Sequence, residues 1–256
     1  MVTRRLTGKV AVVTGSTGGI GAAIAHRLAA EGASVVVSGR RIPEGEEVAR
    51  AIEMAGGAAA FVRADVSVER DCLALVRFAV ERFGRLTTLV NNAADLAWAS
   101  FDNLSGEAWD AAFATNVRGP MLLSRAAVPL MRASGGGCIV NIGSCMAYGG
   151  PLDRLAYACS KGALLTLTRS LARCLAQDRI RANWIIVGWV ASPAEIALRA
   201  RMHGDGERFL AESSAKRPMG RHETPEDIAA GVAYLVSDEA EHVTGCELNI
   251  SGGIRV

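Results

Sequence analysis

A tyrosine and a lysine stand four positions apart in the segment YACSK, as Tyr157 and Lys161, with only small side chains between them. On an α-helix, positions i and i+4 share one face about one turn apart, so the phenol and the ammonium can meet. A tyrosine in water ionises near pKa ~10, and a neighbouring positive charge favours the phenolate and lowers that value. Held in this way, Tyr157 is a usable proton donor or acceptor near neutral pH. The same spacing also arises by chance on solvated helix faces, so the pair acquires meaning only from its surroundings.

A second group of residues suits a phosphate. TGSTGGIG, residues 14 to 21, follows the apolar run KVAVV and opens a helical pattern, which sets Gly15, Ser16, Thr17, Gly18, Gly19, Ile20 and Gly21 in one turn. Glycines there allow a tight bend and bring a pyrophosphate close to backbone N–H groups at the positive end of a helix. The spacing TGxxxGxG is more restrictive than the widespread GxGxxG. Further on, the next apolar run ends in Ser38-Gly39-Arg40-Arg41. An NAD enzyme needs an acid at that point for the ribose 2′-hydroxyl. Arg40 and Arg41 offer guanidinium groups suited to a 2′-phosphate instead, which favours NADP(H); Glu44 lies near enough to keep NAD(H) open.

These residues must be positioned by regular elements. Short β-branched runs at 9–13, 34–38, 60–64, 87–91, 138–142, 181–187 and 246–250 predict strands. Helical patterns lie between them at 19–32, 44–55, 68–83, 105–133, 155–177 and 225–237, the last opened by Thr224-Pro225-Glu226 as cap, first-turn proline and acid. This alternation predicts an α/β fold of about seven strands, a doubly wound parallel sheet with helices on both faces and the ligand site at the carboxyl ends of the strands. Residues 191–220 resist a strand assignment and carry an amphipathic pattern broken at Gly204 and Gly206. They are read as a helical lid over the site, with a surface insertion as the alternative.

Composition narrows the partners. At 256 residues and 50% hydrophobic content, one domain over residues 1–256 can bury a substantial core. A formal charge of +2 with interspersed signs gives no surface for nucleic acid or an acidic membrane, so a small molecule is the expected partner. Six cysteines without a CxxC pair and four histidines without a metal-spaced motif read as reduced cytoplasmic thiols and no metal site. Arg4 and Arg5 precede an apolar run far too short for a signal peptide, and no stretch is long enough to cross a bilayer.

Tyr-x-x-x-Lys and TGxxxGxG on this frame resemble the short-chain dehydrogenase/reductase family over essentially the whole chain. Asp65-Val66, NNAA at 91–94, Asn116 in TNVRGP, Ser144 thirteen residues before Tyr157, and the tail TGCELNISGG line up with it in order. The resemblance implies a Rossmann fold and four catalytic positions: Asn116, Ser144, Tyr157 and Lys161. Tyr157 would pass a proton to or from the reacting oxygen, Ser144 would hydrogen-bond that oxygen, and Lys161 would lower the Tyr157 pKa and hold the nicotinamide ribose. Asn116 would hold a water that links Lys161 to a proton relay. The cofactor would supply the hydride. The resemblance further assigns Asp65 and Val66 to adenine, Asn92 and Ala93 to the adenosine side, Val190 and Ser192 to the nicotinamide carboxamide, and implies a homotetramer packed through 105–133 and 155–177.

The chain departs from the family pattern at Ala94 in place of glycine, Val187 in place of proline, and Ser251 in place of aspartate. For substrate, residues Asp95 to Trp98, Cys145 to Tyr148, Leu152, Trp189 and the lid are expected to form the pocket, with Ser144, Met146, Tyr157 and Trp189 in contact with the substrate. Wide apolar and aromatic faces suit a hydrophobic or cyclic ketone or secondary alcohol. Trp98 and Trp189 also fit core or subunit-contact roles. Arg199, Arg201 and Arg208 suit either an acidic substrate or a solvated face. The expected activity is that of an NADP(H)-dependent carbonyl reductase or alcohol dehydrogenase; the alternatives are an NAD-dependent enzyme of the same fold and a non-catalytic dinucleotide-binding member.

Overall fold

The computed structural model describes residues 4–254. Seven strands form one parallel sheet in the order β3-β2-β1-β4-β5-β6-β7. They are β1 (Val10–Thr14), β2 (Ser34–Gly39), β3 (Ala58–Arg63), β4 (Thr88–Asn91), β5 (Gly137–Ile142), β6 (Ile180–Val187) and β7 (Glu247–Ile250). All seven expected strands are present. The helices are α1 (Gly19–Ala30), α2 (Ile42–Met54), α3 (Glu69–Phe83), α4 (Gly106–Phe113), α5 (Gly119–Ala133), α6 (Leu155–Leu175), α7 (Pro193–His203), α8 (Gly206–Ser214) and α9 (Pro225–Val236).

Strand side chains alternate between two cores, as a period of two requires. Ala11 and Val13, Val35 and Val37, and Val140 and Ile142 pack with Ile24, Leu28, Ile52, Ile228 and Val232 of α1, α2 and α9. Val10, Val12, Val36 and Ile139 face the other way, onto Leu75 of α3, Leu123 of α5 and Leu175 of α6. Both faces of the sheet are covered, which accounts for strands that are nearly continuous in Val and Ile.

The continuous helix expected over 105–133 is two helices joined by a π-helical segment, Ala114–Arg118. Pro120 has no N–H to give the carbonyl of Asn116, so an α-helical ladder cannot run through this point. Gly119 N–H bonds back to the Ala114 carbonyl, five residues earlier. Segment 191–220 is helical as expected, with Ser192 capping α7 and Asp205 capping α8. Thr224 and Asp227 close a reciprocal capping box at α9.

Strands are added outward to one side from β1 and to the other side from β4, so the winding order switches between these two parallel neighbours at the centre of the sheet. A crevice opens there at the strand carboxyl ends, where ligands of doubly wound sheets bind.

Candidate active site

The turn after β1 forms the floor of the crevice. Gly15 adopts φ +63°, and a Cβ on it would stand 2.8 Å from Ala93 Cα. A Cβ on Gly21 would fall 2.4 Å from the Gly15 carbonyl oxygen, so only glycine lets α1 start this close to the strand end. Asn92 ties the two strand ends together: its Nδ2 donates to the carbonyls of Thr14 (2.9 Å) and Gly15 (3.1 Å), while its own N–H and that of Ala93 donate to Thr14 Oγ1. Helix α1 begins with no side-chain cap and no acid in its first turn. Its first N–H groups and positive dipole end are therefore left for an anion, and this terminus fits the pyrophosphate of a dinucleotide.

Ser16 and Ser38 brace the turn from beneath. Ser16 Oγ donates to the Val13 carbonyl at 2.6 Å and accepts from Ser38 N–H at 2.9 Å, and both serines are buried. Neither lines the cavity, although both were expected to touch the cofactor. Arg40 and Arg41 do line it. Arg41 folds over the turn, with Nη2 donating to Thr17 Oγ1 at 3.0 Å and to the Thr17 carbonyl at 3.2 Å, and it pairs with Glu44 at 3.3 Å. Asp65 accepts from the N–H (2.9 Å) and hydroxyl (2.7 Å) of Ser67. Burial alone would raise its pKa, but those bonds and the charges of Arg40 and Arg63 outweigh it and hold the carboxyl below its ordinary value.

A single cavity of about 950 Å³ runs from this floor to segment 191–220. Gly15, Thr17, Gly18, Ile20 and Gly21 line one end, with Asp65, Val66, Asn92 and Ala93 beside them. Ser144, Met146, Tyr157, Trp189, Val190 and Ser192 line the other. Gly19, Asn116 and Lys161 stand outside the lining. Of the expected substrate wall, Asp95, Leu96, Trp98, Cys145, Met146 and Trp189 reach the cavity, while Ala97, Ala147, Tyr148 and Leu152 do not. Of Arg199, Arg201 and Arg208, only Arg199 does; Arg208 pairs with Glu212. Ala94 needs no left-handed backbone, since Ala97 and Arg179 alone among described non-glycine residues have positive φ.

At the positions expected to be catalytic, Ser144 follows β5 and its Oγ accepts from Met146 N–H at 3.1 Å. Burial pushes the Tyr157 pKa up, opposed by a hydrogen bond from Ser144 and by the charge of Arg154. The expected effect of Lys161 is absent from this balance. Lys161 is 2% exposed, its Nζ donates to the Ile142 carbonyl at 2.7 Å, and it lies 5.6 Å from the centroid of the Tyr157 ring. Burial lowers the Lys161 pKa to about 8. Asn116 is fully buried, and its Oδ1 accepts from Asp95 N–H at 2.8 Å. Its Nδ2 donates to the Asp95 carbonyl at 2.8 Å and to Ser160 Oγ at 2.9 Å. Both amide hydrogens are thus spent on protein groups, and the side chain fixes the loop after β4 to the π segment and to α6.

Sequence reasoning missed Pro151, Asp153 and Arg154 on the cavity wall, and it gave Glu195 and Arg217 of segment 191–220 no individual role. Arg154 stands three residues before Tyr157, at the entrance to α6, and that spacing was the available signal. It also missed a buried polar chain beneath the site: Asn91 Nδ2 donates to Asn141 Oδ1 (2.8 Å), and Asn141 Nδ2 donates to Thr168 Oγ1 (2.7 Å).

A glycine turn at the sheet's switch point, an uncapped helix start, and a tyrosine and serine facing one cavity define a dinucleotide-binding α/β oxidoreductase. Comparison with known proteins narrows this. A family model described as enoyl-(acyl carrier protein) reductase matches residues 15–255. The 2,5-dichloro-2,5-cyclohexadiene-1,4-diol dehydrogenase LinX of Sphingobium indicum is 36% identical over 98% of this chain and 98% of its own. A structure from Beutenbergia cavernae with NADP bound at low occupancy, its protein assigned as an NAD(P)-dependent gluconate 5-dehydrogenase, is 38% identical with a TM-score of 0.88 over 97% of each chain. A 7α-hydroxysteroid dehydrogenase complexed with NADH and 7-oxo glycochenodeoxycholic acid is 34% identical, with a TM-score of 0.90 over 98% of this chain and 96% of that one. The chain belongs to the short-chain dehydrogenase/reductase family.

Proposed function

We propose that the protein is an NADP(H)-dependent oxidoreductase that interconverts a hydrophobic or cyclic ketone and its secondary alcohol. One observation carries the reading: a single cavity joins the glycine turn and Arg40 and Arg41 at one end to Ser144 and Tyr157 at the other. When bound, the nicotinamide gives or takes a hydride. The chain's residues do the rest. Gly15, Gly18, Gly21 and the start of α1 would hold the pyrophosphate, and Asp65 and Val66 the adenine. Val190 and Ser192 would hold the carboxamide.

Tyr157 donates its proton to the carbonyl oxygen in reduction and removes it from the alcohol in oxidation. Ser144 hydrogen-bonds the same oxygen and gains strength as negative charge develops there. With the dinucleotide bound, Lys161 would hold the nicotinamide ribose, and its charge would then offset the effect of burial on the phenol. Asn116 positions the loop after β4. No cluster of three or more His, Cys, Asp or Glu that could hold a metal occurs among the described residues.

The phosphate preference rests on Arg41 lying against Thr17 and on Arg40 at the cavity edge, with Glu44 drawn off by Arg41. Relatives that act on a cyclohexadiene diol and on a steroid support a cyclic substrate. Segment 191–220 acts as the lid of one domain. Family membership supports a homotetramer packed through α4–α5 and α6, and six free thiols among the described residues agree with a cytoplasmic setting. No described helix is long and apolar enough to cross a membrane.

The test is to mix the protein with NADPH or NADH and a panel of cyclic ketones and to follow absorbance of the reduced nicotinamide. Consumption with a higher kcat/KM for NADPH is expected. Tight dinucleotide binding without turnover of any carbonyl would overturn the catalytic reading.

A further inference from the structure

The substrate end of the cavity holds two guanidinium groups without an anion. Arg154 stands over the Trp98 ring at 3.9 Å and gives one N–H to the Leu96 carbonyl at 3.0 Å. Arg217 stands over the Trp189 ring at 4.4 Å, and its Nε is buried with no hydrogen-bond partner. Neither forms an ion pair among the described residues, and both line the cavity. Arg199 is different: its Nε donates to Glu195 Oε1 at 2.7 Å while its guanidinium lies over Trp189 at 4.7 Å and Trp98 at 6.0 Å.

Asp153 and Glu195 are felt at Arg154, but neither forms an ion pair with it or with Arg217 among the described residues. Glu195 is shared between Arg199 and Trp189 Nε1, each at 2.7 Å. Asp95 accepts from Ala97 N–H at 2.8 Å. Asp153 adjoins Arg154 in sequence but makes no ion pair with it, and its Oδ1 is buried without a partner. A guanidinium stacked on an indole keeps its edge free for in-plane hydrogen bonds, which is the geometry that carboxylates and related oxyanions accept. Arg154 also lies close enough to Tyr157 for its charge to be felt at the phenol, so an anion bound there sits near the reacting carbon.

Resting on the oxidoreductase reading above, we propose that the physiological substrate is a ring-containing alcohol or ketone that bears an anionic group. Arg154 and Arg217, each backed by an indole (Trp98 and Trp189), supply the positive charge for that group, a carboxylate or a sulfur or phosphorus oxyanion. Reduction adds hydride at the carbonyl carbon and a proton at its oxygen, and the anionic group is unchanged.

The experiment compares matched ketones with the holoenzyme: 4-oxocyclohexanecarboxylate, the corresponding sulfonate, and the neutral 4-oxocyclohexanecarboxamide. A charge-assisted contact predicts a kcat/KM for an anion about 10- to 100-fold above the carboxamide, expressed mainly in KM. Arg154→Leu should bring that ratio close to one and Arg217→Leu should lower it part of the way. Arg154→Lys, which keeps the charge and guards against a folding defect, should retain part of it. Arg208→Leu, outside the cavity, should keep the full ratio. Preference for sulfonate over carboxylate would support the proposal with a tetrahedral oxyanion, and the reverse would support it with a planar one. Equal or better turnover of the carboxamide overturns this inference and leaves the oxidoreductase reading standing. No turnover of any ketone by protein that binds dinucleotide overturns both.

Discussion

Lys161 is anchored to Ile142: its Nζ donates to that carbonyl at 2.7 Å, beneath the end of β5. The ammonium is buried there without a carboxylate, and burial depresses its pKa from 10.5 to about 8. Below pH 8 both folded and unfolded chains carry the charge and the cost of burying it is borne in full. Between about 8 and 10.5 only the unfolded chain takes up the proton, so stability rises with pH across that window. The raised thiols of Cys72, Cys138, Cys145 and Cys246 act in the opposite sense at the alkaline end, so the lysine is read as a difference: urea midpoints of the cofactor-free protein from pH 7 to 10 should have a more positive slope than those of Lys161→Met. Equal slopes in the two proteins would mean that the lysine is not buried as described.

Tyr157→Phe keeps the ring and removes the hydroxyl. Turnover should fall by at least about 10²-fold, the usual scale of a lost general acid, while the dissociation constant for dinucleotide stays within about twofold. Comparable losses in both would move Tyr157 from proton transfer to cofactor binding.

Arg40→Asp should shift the ratio of kcat/KM for NADPH over NADH toward NADH by about 10-fold or more, since it exchanges a phosphate partner for an acid that repels phosphate. Arg41 is already engaged with Thr17 and Glu44, so Arg41→Ala should also weaken the seating of the turn. An unaltered ratio in Arg40→Asp would remove this residue from 2′-phosphate recognition.

Asn116→Ala leaves the Asp95 N–H and carbonyl and the Ser160 hydroxyl without their shared partner. Thermal unfolding should register a loss of about 1–3 kcal/mol, the cost of orphaned buried polar groups. Hydrogen exchange should speed up at residues 94–98 before it does so elsewhere. Unchanged exchange there would show that the amide does not hold the loop after β4.

The strands and most helices were legible in the sequence because Val-rich runs bounded by glycine and serine have little alternative but a sheet covered on both faces. The break in 105–133 was not read, although Pro120 was there to signal it, because helical periodicity on either side continues through Asn116. The family resemblance implied four catalytic positions, of which Ser144 and Tyr157 line the cavity and Asn116 and Lys161 do not. What spacing does not encode is where a flexible side chain points. Lys161 reaches for a main-chain carbonyl, and the Ser16 hydroxyl bonds the Ser38 main chain instead of facing the cavity. Arg154 and Arg217 come from parts of the chain 63 residues apart, and only the tertiary fold brings them to one wall.

The Trp189 indole is gripped from several sides: its Nε1 by Glu195 of α7, its faces by Arg199 and Arg217, its edge by the His222 ring at 4.8 Å. It cannot swivel without unseating α7. The width of the cavity at Trp189 is therefore tied to how α7 packs, and widening it means shifting a helix with its ion pair and not rotating one side chain.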